Sequence, residues 1–230
     1  MLDTFVKHAN ETSFVWLDIK KPRTWASKGT SIKQLQQMIQ TKLEPVGIRV
    51  LYDFSSKDTT LRELDTLMQS LSANEATSVG SRAEDVQRIF DSVDSDTISV
   101  QQKVMDYGMS SLEAPYVMDC DWPRDSWNLI YPTGVCYELH QGTKLLRDRQ
   151  PRKSKVGKVF GWTIKAQDAG STNVEKLLRF SKVDGLMYGE ATYDYRDHPD
   201  NRVAIGLIKD WLHQHPKRIV GLKSPISLGD

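Results

Sequence analysis

Two stretches decide the fold: Phe14-Val-Trp-Leu-Asp-Ile-Lys20 and Lys158-Val-Phe-Gly-Trp-Thr-Ile164. Each is a short run of β-branched and aromatic residues, the composition of a strand. Each carries charged or aromatic groups toward its C-terminal end, and in a β/α barrel that end is where active sites are built. Asp18 and Lys20 are two apart, so on a strand they point to the same side. A carboxylate and an ammonium on the inner face of a buried strand are costly unless they are paired or engaged with a ligand. The pair therefore marks a candidate site for a metal ion and an anion. Taken alone, such a pair is more often a structural ion pair across the barrel.

Outward from these strands, β and α patterns alternate. Ser31–Leu43 predicts a helix, with Ile32, Leu35, Ile39 and Leu43 on one stripe. Gly47–Phe54 predicts the next strand. Thr60–Leu71 predicts a helix whose apolar positions are Leu61, Leu64, Leu67, Met68 and Leu71. Glu75–Val79 reads as a short strand, Ala83–Val93 as a helix buried through Val86, Ile89, Phe90 and Val93, and Lys103–Gly108 as a strand. Ala114–Tyr131 is a long irregular region of the kind that often carries function. Val135–Arg149 predicts a helix, followed by a basic segment, Arg147–Lys155, expected to be a solvated turn. Val174–Phe180, Val183–Tyr188 and Arg202–His213 complete the series as helix, strand and helix. This alternation argues for a parallel sheet with helical crossovers. No strand is followed by a glycine-rich phosphate fingerprint, which weakens a dinucleotide-binding or P-loop reading. About six strand–helix units are visible, whereas a complete barrel has eight. The chain is expected to begin partway through such a fold, as one domain spanning residues 1–230.

The 230 residues suit one sizeable α/β domain. Hydrophobic residues make up 39% and charged residues 27%, an ordinary balance for a water-exposed globular chain. A net charge of +1 gives no argument for a nucleic-acid partner. No apolar run approaches the ~20 residues of a membrane span. Met1 to Glu11 is polar and lacks a signal-peptide core, so the chain as it stands is expected in the cytoplasm. The two cysteines, Cys120 and Cys136, fit either one disulfide or two free thiols.

Five segments resemble the phospholipase D and sphingomyelinase D toxins of bacteria, fungi and spider venoms, within the glycerophosphodiesterase-like (PLC-like phosphodiesterase) barrel superfamily. They are Phe14-Val-Trp-Leu-Asp-Ile-Lys-Lys-Pro22, Leu43-Glu-Pro-Val-Gly-Ile-Arg-Val-Leu-Tyr52, Met105-Asp-Tyr-Gly108, Phe160-Gly-Trp-Thr-Ile164 and Val183-Asp-Gly-Leu186. They occur in family order and span most of the chain, closest to the bacterial and fungal branch. The resemblance implies a distorted (β/α)8 TIM-type barrel, here lacking its first two β/α units, and a bound Mg²⁺. It implies that Asp18 is a metal ligand, that Lys20 contacts the substrate phosphate and that Trp162 lines a headgroup pocket. Tyr188, at the end of the last strand, either lines that pocket or packs. Asp53 reads as a group supporting the site or as a helix cap.

The chemistry of these residue types suits the roles. Mg²⁺ takes hard oxygen ligands and keeps water and phosphate in its shell. An ammonium at a phosphate stabilises charge growing in the transition state. An indole face suits a quaternary ammonium such as choline. The partners so implied are choline phospholipids at a membrane surface, met by a monomer that is secreted in its full-length form. The departures are equally specific. The family's two catalytic histidines and two of its three metal ligands lie on strands with no counterpart here, and none of the five histidines matches them. Gly189 stands where spider enzymes carry an asparagine, and Lys165 where they carry an aspartate. The chain is therefore expected to be inactive by itself. The alternatives are a non-catalytic relative that binds lipid headgroups or a partner, and a metabolic glycerophosphodiesterase.

Overall fold

The computed structural model describes residues 1–25, 29–55, 61–93, 98–108, 135–148, 154–166, 173–189 and 198–216. The expected region Ala114–Tyr131 and the segment after Pro216 lie outside them. The strands are β1 (Phe14–Ile19), β2 (Arg49–Ser55), β3 (Glu75–Gly80), β4 (Lys103–Gly108), β5 (Lys158–Ile164) and β6 (Gly185–Tyr188). Their order in the sheet is the order of the chain. The registered neighbours β1/β2, β2/β3 and β5/β6 are parallel. A doubly wound sheet reverses its strand order partway across, whereas sequential parallel winding belongs to the β/α barrel. The expected fold class is met: within each unit the registered strands run parallel, with helices between successive strands, as in the β/α barrel class. The chain divides into two compact units, one built on Met1–Met105 and Lys155–Gly157, the other on Asp106–Ser154 and the residues from Lys158 onward.

In the first unit, α1 (Leu2–Lys7) precedes β1, and α2 (Ile32–Lys42), α3 (Leu61–Met68) and α4 (Ala83–Ser92) separate the strands. Helix α2 starts where Ser31 and Gln34 cap each other: the Gln34 amide donates to Ser31 Oγ at 3.2 Å, and the Ser31 amide donates to Gln34 Oε1 at 2.9 Å. The parallel register places Val15, Leu17 and Ile19 beside Val50, Tyr52 and Phe54, and these beside Glu75, Thr77 and Val79. With Ile39, Leu43, Leu64, Leu67, Met68, Val86 and Phe90 they make the core, all of them buried except the half-buried Leu17. Leu61, expected on the apolar stripe of α3, is 45% exposed at the start of that helix.

The polar member of this core is Glu75, 4% exposed. Its carboxylate accepts from Tyr52 Oη at 2.5 Å, Gln40 Nε2 at 2.7 Å, the Ser72 amide at 2.9 Å and Gln36 Nε2 at 3.3 Å. A buried carboxylate is tolerable when its lone pairs are met in this way. Gln102 holds the same strand entry from the other side, donating to Ser72 O at 2.8 Å and Glu75 O at 2.9 Å.

In the second unit, α5 (Val135–Gln141) widens into a π-helical stretch, Gly142–Asp148. The helix α6 (Asn173–Glu175) does the same over Lys176–Phe180. Helix α7 (Pro199–Gln214) begins with Pro199, whose fixed φ and missing N–H suit the first turn. Arg147, expected in a solvated turn, is instead 18% exposed. Its guanidinium donates to Asp184 Oδ2 at 2.7 Å and Lys182 O at 3.1 Å. Asp184 Oδ2 also accepts from the Val159 amide at 2.7 Å, which ties the entries of β5 and β6 together. Cys136 is disulfide-bonded. The only other cysteine in the sequence, Cys120, lies outside the described residues.

Burial first, and the hydrogen bond to Glu75 second, push the Tyr52 phenol far above its ordinary pKa. A group raised on folding contributes stability below its unfolded pKa, near 10, and loses it as pH rises beyond. Tyr52→Phe is therefore expected to cost about 2 kcal/mol at pH 7 in urea unfolding. It should also flatten the fall in stability above pH ~10 relative to the unsubstituted chain. An unchanged midpoint at pH 7, or an equally steep alkaline fall, would refute this role.

Candidate functional site

In the first unit the site residues occupy the face opposite the helices. Alternation along β1 puts Phe14, Trp16 and Asp18 there, and the register sets Asp18 beside Asp53 and Asp53 beside Ser78. Lys20 follows the strand, with its backbone oxygen accepting from Trp25 Nε1 at 3.2 Å. Lys20 Nζ lies 2.9 Å from Asp18 Oδ2. The side chains are 71% and 52% exposed, respectively. This corrects the expectation of a costly pair on a buried strand: both charges remain in water, where such a pair contributes ~1 kcal/mol or less. An ammonium open to solvent can be reached by an incoming anion, which must displace part of its hydration.

Asp53 has a definite role here. Its Oδ2 accepts from Trp16 Nε1 at 3.0 Å, so it orients an indole on the neighbouring strand rather than capping a helix. Among the described residues there is no group of three or more His, Cys, Asp and Glu side chains able to hold a metal. Asp18 offers one carboxylate, already engaged by an ammonium, and this donor set falls short of a magnesium site.

In the second unit, Trp162 lies on β5 and its Nε1 donates to Asp106 Oδ1 on β4 at 2.9 Å. Asp106 is 1% exposed. Two residues along β4, Gly108 is required by the same tryptophan, because a Cβ there would overlap the Trp162 carbonyl oxygen. Trp162 is thus held at its ring nitrogen, and its backbone passes close against Gly108. Gly161 serves packing, since a Cβ would come within 3.0–3.1 Å of Leu186 and Leu139. Tyr188 ends β6 opposite Ile164 and is 41% exposed. Gly189 follows with its amide on Ile164 O at 3.0 Å and φ of 116°, a conformation that strains any side chain. The absence of asparagine at this position therefore has a backbone reason. Asp106 and the Trp16–Asp53 pair were not found from the sequence. An Asp on a strand and a Trp on its neighbour give no signal until the register is known.

Comparison with known proteins gives these residues a family. The model of the family described as Sphingomyelinase D/Phospholipase D matches residues 3–222. The chain belongs to this family. A protein named Sphingomyelinase D from Uncinocarpus reesii is 35% identical over 207 residues, which cover 90% of this chain and 54% of that relative. One of the same name from Trichophyton rubrum is 32% identical, covering 89% of this chain and 56% of its own length. Another, from Aspergillus flavus, is 35% identical, covering 88% and 62%. The chain spans about half the length of the first of these relatives. No solved structure gives a significant match.

The two ends of the glycine scale test this family member's β4–β5 geometry. Gly108→Ala should destabilise the protein by about 2 kcal/mol or more, through overpacking against the Trp162 backbone. Gly206→Ala, on α7 with no heavy atom within 4 Å of its built Cβ, should instead stabilise by up to ~1 kcal/mol. Equal effects of both substitutions on thermal unfolding would contradict the close approach at Gly108.

Proposed function

We propose that the chain is part of a Mg²⁺-dependent phospholipase D of the sphingomyelinase D type, which acts on sphingomyelin and lysophospholipids at a membrane surface and releases choline. The observation that carries this reading is the match to the family over residues 3–222; the roles given to Asp18, Lys20 and Trp162 are those that the sequence resemblance implies. In the reaction, a hydroxyl of the lipid attacks phosphorus and the phosphorus–choline oxygen bond breaks. The proton lost by the hydroxyl goes to the departing choline oxygen, and the lipid keeps a cyclic phosphate. Where water attacks instead, the product is an open phosphate. The groups that move the proton lie outside this chain.

Within this frame each residue has a separate task. Lys20 presents its ammonium to phosphate oxygens, where charge increases in the transition state. Asp18 keeps that ammonium in place and offers an oxygen to a magnesium ion whose other ligands come from beyond the described residues. Trp162 and Tyr188 offer aromatic surface to the trimethylammonium group. Secretion is supported by the disulfide at Cys136, which fits an oxidising compartment. No helix among the described residues is long and apolar enough to cross a membrane.

The test is choline release from sphingomyelin and lysophosphatidylcholine with Mg²⁺ present. This chain is compared with the same chain fused to the N-terminal part of the Uncinocarpus relative. The fusion is expected to release choline and the chain alone to be silent. Lys20→Ala in the fusion should lower kcat/KM about 100-fold. A folded fusion that releases no choline from either lipid would overturn the proposal.

A further inference from the structure

We propose that Asp106 is a positioning residue that sets headgroup specificity, acting through Trp162 to favour a cationic over a neutral headgroup. This rests on the reading above, in which Trp162 meets the trimethylammonium group. An indole has a single hydrogen-bond donor, Nε1. Here it is committed to Asp106 Oδ1 at 2.9 Å. The acceptor is 1% exposed on a central strand, so it does not swing with solvent. Gly108, two residues further along β4, admits the Trp162 carbonyl oxygen. The indole N–H is therefore fixed on β4, Trp162 passes close against Gly108 of the same strand, and it keeps a half-buried surface for contact.

The acceptor's chemistry matters as much as its position. A carboxylate drawing on the N–H raises electron density in the indole, and a cation is held over an aromatic face by that density. The carboxylate sits at the ring edge, along the N–H, and its negative charge adds a direct attraction for a cation over the face that is weakly screened where water is excluded. A neutral headgroup of the same shape gains only the apolar contact. The pair thus converts a surface suited to any bulky methyl-bearing group into one that selects for positive charge.

The experiment uses the full chain and two probes below their micelle concentrations: dodecylphosphocholine, and dodecyl 3,3-dimethylbutyl phosphate, in which carbon replaces the ammonium nitrogen. Dissociation constants are read by calorimetry and thermal midpoints are recorded alongside. The unsubstituted chain should prefer the choline probe about tenfold. Asp106→Asn keeps an acceptor oxygen, and should lose most of that preference while binding the neutral probe within about twofold of the original. Trp162→Ala should weaken both probes. If Asp106→Asn fails to fold, Trp162→Phe, which retains a ring but not the donor, should show the same loss of preference. A full preference retained in the folded Asp106→Asn or Trp162→Phe chain would overturn the role of Asp106 and leave the headgroup reading intact. Unchanged binding in Trp162→Ala would overturn the headgroup reading itself.

Discussion

Side-chain alternation in a parallel sheet is the constraint on which the rest depends. In β1, β2 and β3, every second residue is committed to the helices: Val15 and Ile19, Val50, Tyr52 and Phe54, then Glu75, Thr77 and Val79. The opposite parity is what remains for chemistry, and it holds Trp16, Asp18, Asp53 and Ser78. A slip of one residue would turn Asp18 to the apolar face and Phe54 to the polar one, so the apolar core enforces the register of the polar face. The core's own polar centre strengthens the constraint. Tyr52 and Glu75 meet only in this register, and their hydrogen bond would be lost in any other.

The two ends of the strands are used differently. At the entry of β3, Glu75 gathers donors from Tyr52, Gln36, Gln40 and Ser72 into a closed network with no ligand role. In the second unit, Arg147 and Asp184 do comparable work at the entry of β5 and β6. At the exits the charged and aromatic side chains are more open: Asp18 and Lys20 on β1, Trp162 on β5, Tyr188 on β6. This division between stabilising entries and chemical exits is the general habit of β/α barrels.

Much of the fold was legible because the strands announce themselves. β4 and β5 begin and end where the sequence predicted, since glycine, charge and turn residues bound both. The helices around them followed from apolar spacing. The polar interior was not legible. Gln36 and Gln40 sit at helical positions that ordinarily face water, and only the three-dimensional placement of Glu75 makes them internal donors. The π-helical stretches after Gln141 and Glu175 were also hidden, because a stripe of apolar residues does not distinguish a slightly wider helix from an ordinary one. Among the candidate site residues, Asp18 and Lys20 lie at the end of β1 and just after it, Trp162 lies within β5 and Tyr188 ends β6. What the motifs could not give was their surroundings. The Asp18–Lys20 pair is open to water, and the carboxylate behind Trp162 became visible only through β4 and β5 as neighbours in the second unit.

The central claim is that these strand exits recognise a choline phosphodiester. Calorimetric titration of the full chain with sphingosylphosphocholine, below its micelle concentration, tests it most directly, because binding needs no proton transfer. The account predicts saturable binding of one lipid per chain, weakened about tenfold by Lys20→Ala through loss of a charge-assisted contact to phosphate. A folded chain that shows no saturable binding, or a Lys20→Ala variant that binds as tightly as the original, would contradict it.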